Sequence, residues 1–190
     1  MRDTALADRV DGLRSKLNAV RCELRQALAE AAALDVPDYL FSSASGPVAL
    51  SQLFDGKREL FVIHNMGTTC SNCTLWADGF NGLYPHLKNR AAFVVSSPDP
   101  PGIQASFAAK RGWQLPMVSH AGTSFAADMG FVDERGRFLP GVSVFVSGPA
   151  GIRRVSASFF APGDDFCAAW HLFDLLPEGA AGWRPRFSYG

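Results

Sequence analysis

The 190-residue chain offers little for nucleic acid or lipid to recognise. Eighteen Lys and Arg balance eighteen Asp and Glu, so the net charge is zero. There is no basic stripe for a phosphate backbone and no polybasic cluster for an anionic membrane surface. No apolar run approaches the roughly 20 residues that a membrane-spanning helix needs. The opening MRDTALADRV has no apolar core of the kind a secretory signal carries, so the cytoplasm is the expected location. Cysteine is scarce: there are four, at positions 22, 70, 73 and 167. Thiols are kept reduced in the cytoplasm, which disfavours a static disulfide staple. A close cysteine pair there is expected to be catalytic, redox-active or metal-binding. What remains is ordinary globular material, 47% hydrophobic and 19% charged, long enough for one full core and an appendage.

The appendage is predicted at the start. Leu6, Val10, Leu13, Leu17, Val20, Leu24 and Ala27 alternate steps of four and three, a 3.5-residue repeat. This predicts one helix over residues 4–33 with a narrow apolar seam, packed on the domain body or, alternatively, on a second chain as a homodimer. Residues 1–36 are thus read as a helical extension, 37–178 as the main domain and 179–190 as a tail held by its aromatics.

From residue 59 strands and helices alternate. ELFVIHNM reads as a strand, followed by a helix from Thr69 that GFNGLYP weakens or ends. AAFVVSSP is a second strand and PPGIQASFAAKRGW a helix with proline at its start. LPMVSH is a short strand, and TSFAADMGF a short helix capped by Thr123 or Ser124. GVSVFVSGPAGIRRVSASFF is a hairpin turning at Gly148–Gly151. GDDFCAAWHLFDLLP is a helix capped by Asp164 and stopped before Pro177. This order predicts an α/β fold, a mixed central sheet flanked by helices on both faces.

The chemistry is expected where the first of these strands gives way to its helix, at Cys70-Ser71-Asn72-Cys73. The first turn of a helix has unpaired N–H groups and the positive end of the macrodipole, which favour a thiolate. Cys70 is placed there as nucleophile. Cys73, one turn on, is the resolving thiol within disulfide reach. No cation lies near in the sequence, so activation is assigned to the helix terminus and to the hydroxyls of Thr68, Thr69 and Ser71. Asn72 completes the dipeptide between the cysteines. Trp76 and Phe80 follow at helical spacing and read as core before substrate platform. Asp78 reads as a solvated helix carboxylate and His64 as a hydrogen-bonded core histidine, with proton shuttling as its alternative. A zinc site would need two more ligands, and neither a second Cys-x-x-Cys nor a paired histidine motif supplies them, so neither metal nor cofactor is expected. Cys167 and His171, one turn apart, read as a core thiol and a polar edge.

These stretches, with GPVALSQLF, CSNCTLWADGFNGLYPHL, FAAKRGWQLPMVSH, DMGF and WHLFDLLP, resemble the thioredoxin-like superfamily and, within it, the domain of unknown function 899 family, described as predicted dithiol-disulfide oxidoreductases. The resemblance implies a thioredoxin-like fold with a peroxiredoxin-like central insertion, Cys70 and Cys73 at the redox position, and a dithiol protein or small thiol as electron partner. LPMVSHAGTSFAADMGF before the hairpin is similar to peroxiredoxins, but their Pro-x-x-x-Thr-x-x-Cys motif is broken, with Gly67 at the threonine position. Their arginine at the hairpin entry is replaced by Leu139, Pro140 and Gly141. Thioredoxins place a cis-proline at that entry; Pro140 is close, while alignment on VSVFV puts Gly141 there. A non-catalytic or metal-loaded binding module is the alternative to the oxidoreductase, and a peroxidase is a third reading.

Overall fold

The structure is a computed structural model that describes residues 4–190. It divides into two compact units, Met1–Ala33 and Leu34–Gly190. The first unit is built on one helix, α1 (Thr4–Glu30), with no buried residue along it. The repeat in the sequence thus forms the helix, which ends a few residues before position 33.

The second unit is an eight-stranded mixed sheet. Its strands are β1 (Leu34–Val36), β2 (Leu40–Ser43), β3 (Gly46–Ala49), β4 (Glu59–His64), β5 (Ala92–Ser97), β6 (Met117–Ser119), β7 (Gly141–Gly148) and β8 (Gly151–Phe159), in the order β1-β8-β7-β4-β5-β6-β2-β3. The core of the sheet is parallel from β4 through β5 to β6. The β7–β8 hairpin adds to β4 antiparallel. The parallel strands are connected by α2 (Ser71–Arg90) and α3 (Pro101–Arg111), and α4 (Phe125–Asp128) and α5 (Ala168–Phe173) complete the set.

Alternation along the central strands sorts side chains into two cores, as a sheet with a two-residue period requires. Leu60, Val62, Ala92, Val94 and Phe145 face one side, with Leu50 and Phe54 of a 3-10 turn and Phe125 of α4. Ile63, Phe93, Val95 and Val142 face the other, with Trp76 and Phe80 of α2 and Trp170 of α5. The expected helices on both faces are present. The central insertion is the run of β6, α4 and an antiparallel bridge, Val132 to Phe138, ahead of β7.

Two expectations are corrected. GFNGLYP does not end α2, which runs on to Arg90 with Pro85 inside it. Pro85 lies on the exposed side, where the carbonyl it leaves unbonded can meet water. Phe80, Tyr84 and Leu87 pack against the same core at three- and four-residue steps, so burial on both sides of the proline outweighs its local cost. Asp164 does not cap α5. Its Oδ2 accepts the Ala161 N–H and its Oδ1 the Phe166 N–H, which closes a loop, and the helix starts only after Cys167. The short strands β1, at one edge, and β2, between β6 and β3, were not read from the sequence.

Candidate active site

β4 ends at His64, and six residues later Cys70 begins α2. The loop between them is pinned from below. Buried Asn65 accepts the Gly67 N–H through Oδ1 at 2.8 Å. Asp99, beyond the end of β5, accepts the Thr68 N–H through Oδ2 at 2.7 Å. Gly67 has φ +104°, and a Cβ there would stand 2.9 Å from the Asp99 carboxylate, so this position suits glycine alone. The Cys70 N–H then bonds the Gly67 carbonyl at 3.1 Å. Asn65 and Asp99 were missed in the sequence. An asparagine two residues before a glycine is an Asx-turn signal that marks the first; nothing local marks the second, because its partner is 31 positions away.

Cys70 is the N-cap of α2, with extended backbone, and its Sγ accepts the Cys73 N–H at 3.0 Å. A sulfur thus fills the place usually taken by a serine or aspartate oxygen. The two cysteines are joined as a disulfide with Cα atoms 5.2 Å apart. Cys73 is buried, while Cys70 is only partly so. Thr74 ties the turn down, both its N–H and its hydroxyl donating to the Cys70 carbonyl at 3.0 Å.

The supporting residues separate into two groups. Ser71 and Asn72 lie in the first turn of α2, half-buried, and Trp76 one turn on is buried with its indole N–H donating to Asp164 Oδ1 at 3.3 Å. Trp76 is therefore core. Thr68 contributes its backbone rather than its hydroxyl, and Thr69 is exposed. Among the described residues no hydroxyl bonds either sulfur; the donor to Cys70 is the helix backbone. Pro140 and Gly141 stand at the start of β7, with Gly141 registered opposite His64. Every peptide bond among the described residues is trans, so Pro140 is a trans proline and Gly141 holds the strand position beside β4.

The remaining candidates are structural. Asp78 stays partly open to solvent but also has partners: it accepts Arg111 Nε at 2.9 Å and Trp113 Nε1 at 2.7 Å, tying α2 to the end of α3. Cys167 is buried in the core, with burial pushing its thiol pKa up; an inert thiol results. His171 turns outward to Asp165, 3.2 Å away. Among the described residues no group of three His, Cys, Asp or Glu side chains is placed to hold a metal ion, and no helix is long and apolar enough to cross a membrane.

His64 is a core histidine, as expected, and it belongs to the sheet face opposite α2. Its ring stacks on Phe131 with centroids 3.7 Å apart, and its Nε2 bonds the Ser143 hydroxyl at 2.9 Å. Buried His120 pairs its Nδ1 with the Ser96 hydroxyl at 2.9 Å. Burial pushes the pKa of His64 well down and that of His120 to about 4. Both are neutral in the fold, whereas an unfolded histidine titrates near 6.5. Between those values the unfolded chain binds protons that the folded chain does not, so stability is full above about pH 6.5 and falls as pH drops. Urea midpoints should therefore be lower near about pH 5 than near about pH 7.5, with the difference reduced in His120→Gln. A midpoint that rises on acidification contradicts this.

The model of the bacterial proteins of unknown function called DUF899 matches residues 4–185. The chain belongs to the DUF899 family. No curated protein is similar to it. Among solved structures, the fold is similar to that of the Xanthomonas campestris bacterioferritin comigratory protein, described for alkyl peroxide reduction, at 21% identity and TM-score 0.52 over 66% of this chain and 85% of that one. It is similar to the Mycobacterium tuberculosis peroxidoxin BcpB at 25% identity and TM-score 0.51, covering 67% and 80%. It is also similar to reduced Vibrio vulnificus Prx3 in complex with hydrogen peroxide, at 14% identity and TM-score 0.54, covering 70% and 90%. This DUF899 protein therefore has the thioredoxin-like fold in the form peroxiredoxins use. At the loop before the pair, the Asp99 carboxylate fills the space beside Gly67.

Proposed function

We propose that this DUF899 protein is a thiol–disulfide oxidoreductase that works in a reducing, cytoplasmic setting. The observation that carries the reading is the Cys70–Cys73 disulfide at the head of α2, with Cys70 a partly exposed residue and Cys73 a buried one. In the reduced protein the Cys70 thiolate attacks one sulfur of a substrate disulfide. The Cys70–substrate bond forms, the substrate S–S bond breaks, and the departing thiolate takes up a proton. Cys73 then attacks the Cys70 sulfur, closes the internal disulfide and releases the second substrate thiol. Two electrons have passed from the protein dithiol to the substrate. Two equivalents of a thiol, or one dithiol protein, return the pair to its reduced state by the same steps in reverse. The helix backbone that already donates to Cys70 stabilises the thiolate in both directions.

The supporting positions take modest roles. Ser71 and Asn72 set the approach to the pair, and Gly141 keeps the β7 entry low beside the end of β4. The apolar seam of α1 is assigned to a second copy, making the protein a homodimer through that helix.

A peroxidase is the rival reading, and the fold of the solved neighbours favours it. Peroxide activation needs donors aimed at the peroxide oxygens. The threonine and arginine expected for that work in peroxiredoxins are here Gly67 and the Leu139-Pro140-Gly141 segment. A side-by-side assay with the reduced protein tests the choice: disulfide reduction should turn over, and hydrogen peroxide consumption should be slower by about 100-fold or more, the size of one lost activating donor. Faster reaction with peroxide than with disulfides overturns the oxidoreductase reading in favour of the peroxidase.

A further inference from the structure

A cavity of about 500 Å³ lies beside the cysteine pair, with Asn72 of the intervening dipeptide in its wall. The rest of the wall comes from Pro162 and Gly163 after β8, from α5 and from the C-terminal tail. Its size falls among sites for small molecules rather than macromolecules. Two features define its chemistry. Asp174 and Arg184 bring opposite charges to one cavity, and no hydrogen bond or ion pair among the described residues engages Arg184. The rings of Trp170 and Trp183, with centroids 5.7 Å apart, form an aromatic wall. Trp170 is buried, and its indole N–H has no acceptor.

We infer that this cavity binds a small zwitterionic thiol, and the disulfide made from it, as the electron partner of Cys70 and Cys73. The inference rests on the thiol–disulfide reading above and names its partner. Arg184 takes a carboxylate and Asp174 an ammonium group, which orients the ligand with its sulfur toward Asn72 and the pair. Two thiol molecules reduce the protein disulfide. The first attacks and forms a mixed disulfide with Cys70, expelling Cys73 as a thiolate that is then protonated. The second attacks the ligand sulfur of that mixed disulfide, releasing Cys70 and leaving as the small-molecule disulfide.

An extended polypeptide fits less well. At the β7 entry the Leu139 N–H already bonds the Phe131 carbonyl, and the Pro140 carbonyl already accepts the Phe160 N–H, both at 2.9 Å. These main-chain groups are therefore not available to a peptide strand. Nothing comparable occupies the charged groups of the cavity apart from His171 Nδ1, 3.9 Å from Asp174.

The test compares rates of oxidation of the reduced full-length protein by glutathione disulfide, each half of which carries an ammonium and two carboxylates, and by 2-hydroxyethyl disulfide, which carries no charge. The readout is the ratio of the two rate constants, because a merely damaged fold lowers both. The ratio should fall about tenfold in Arg184→Gln, the size of one charge-assisted hydrogen bond, and should fall also in Asp174→Asn. A ratio within about twofold of wild type in both variants, a difference too small for one such bond, overturns the site while leaving thiol exchange standing. Faster oxidation of the wild type by insulin than by glutathione disulfide overturns it in favour of a polypeptide partner. A wild-type protein that reacts with neither small disulfide overturns the thiol-exchange reading, and this site with it.

Discussion

Cys70→Ser should abolish disulfide reduction, and Cys73→Ser should stop it after one step. The two sulfurs are chemically alike but differently placed. Cys70 caps α2 and is partly exposed; Cys73 is 3% exposed and its own N–H points back at the Cys70 sulfur. Only Cys70 is positioned both to be reached and to be stabilised as a thiolate. A serine there keeps a capping oxygen, so the helix should survive while the nucleophile is lost. The rate should fall by at least about 10³-fold, as it does when an enzyme loses its nucleophile. In Cys73→Ser the first attack still occurs, and the Cys70–substrate adduct has no neighbour to resolve it. Mass spectrometry of that variant, mixed with a disulfide, should show the adduct on Cys70 in stoichiometric amount. An adduct on Cys22 or Cys167, or full turnover in Cys70→Ser, would contradict the assignment.

Gly141→Ala should be among the most destabilising single substitutions in the second unit. Gly141 opens β7, with His64 on one side and Phe159 on the other. A Cβ at this position would run into the Phe131 ring and the Ser158 carbonyl. Neither can yield cheaply. Phe131 is 1% exposed and stacked on His64, and the carbonyl is part of the backbone of β8. Overpacking against a close-packed core, with a backbone shift added, costs about 2–4 kcal/mol. Gly148→Ala at the far end of the same strand meets nothing within 4 Å, and should change stability by no more than about 0.5 kcal/mol. Urea midpoints of the two variants measure the contrast; equal midpoints would mean that β7 can shift without resistance.

The pattern of residues made much of this visible in advance. β4, β5 and the β7–β8 hairpin stand out because β-branched and aromatic runs there are bounded by turn residues, and α3 because proline opens it, although it ends at Arg111 with Gly112 as its cap and not at Trp113. The cysteine pair was legible because strand, loop and helix signals follow one another within a dozen residues. What was not legible depended on distant partners. α2 continues past Gly79, Gly82 and Pro85 because the core beneath it rewards the whole length. Asp164 looked like a helix cap, yet it serves a loop and the indole of Trp76, 88 positions away. Asp78 is partly solvated as its helix position suggests, but its bonds to Arg111 and Trp113 come from more than thirty positions away. The Asp99 contact that pins the loop before Cys70, and the cavity beside Asn72, are likewise products of topology, whereas the Asn65 contact is a local turn two residues long.

The head of α2 is expected to make Cys70 the reactive thiol of the pair. The most direct measurement is the rate of iodoacetamide alkylation of the reduced protein as a function of pH, resolved by peptide mass spectrometry for each cysteine. The account predicts that Cys70 is modified first, with an inflection below the free-cysteine value of about 8.5, while Cys73 and Cys167 are protected by burial. Faster modification of Cys73, or a Cys70 inflection at or above the free value, would contradict it.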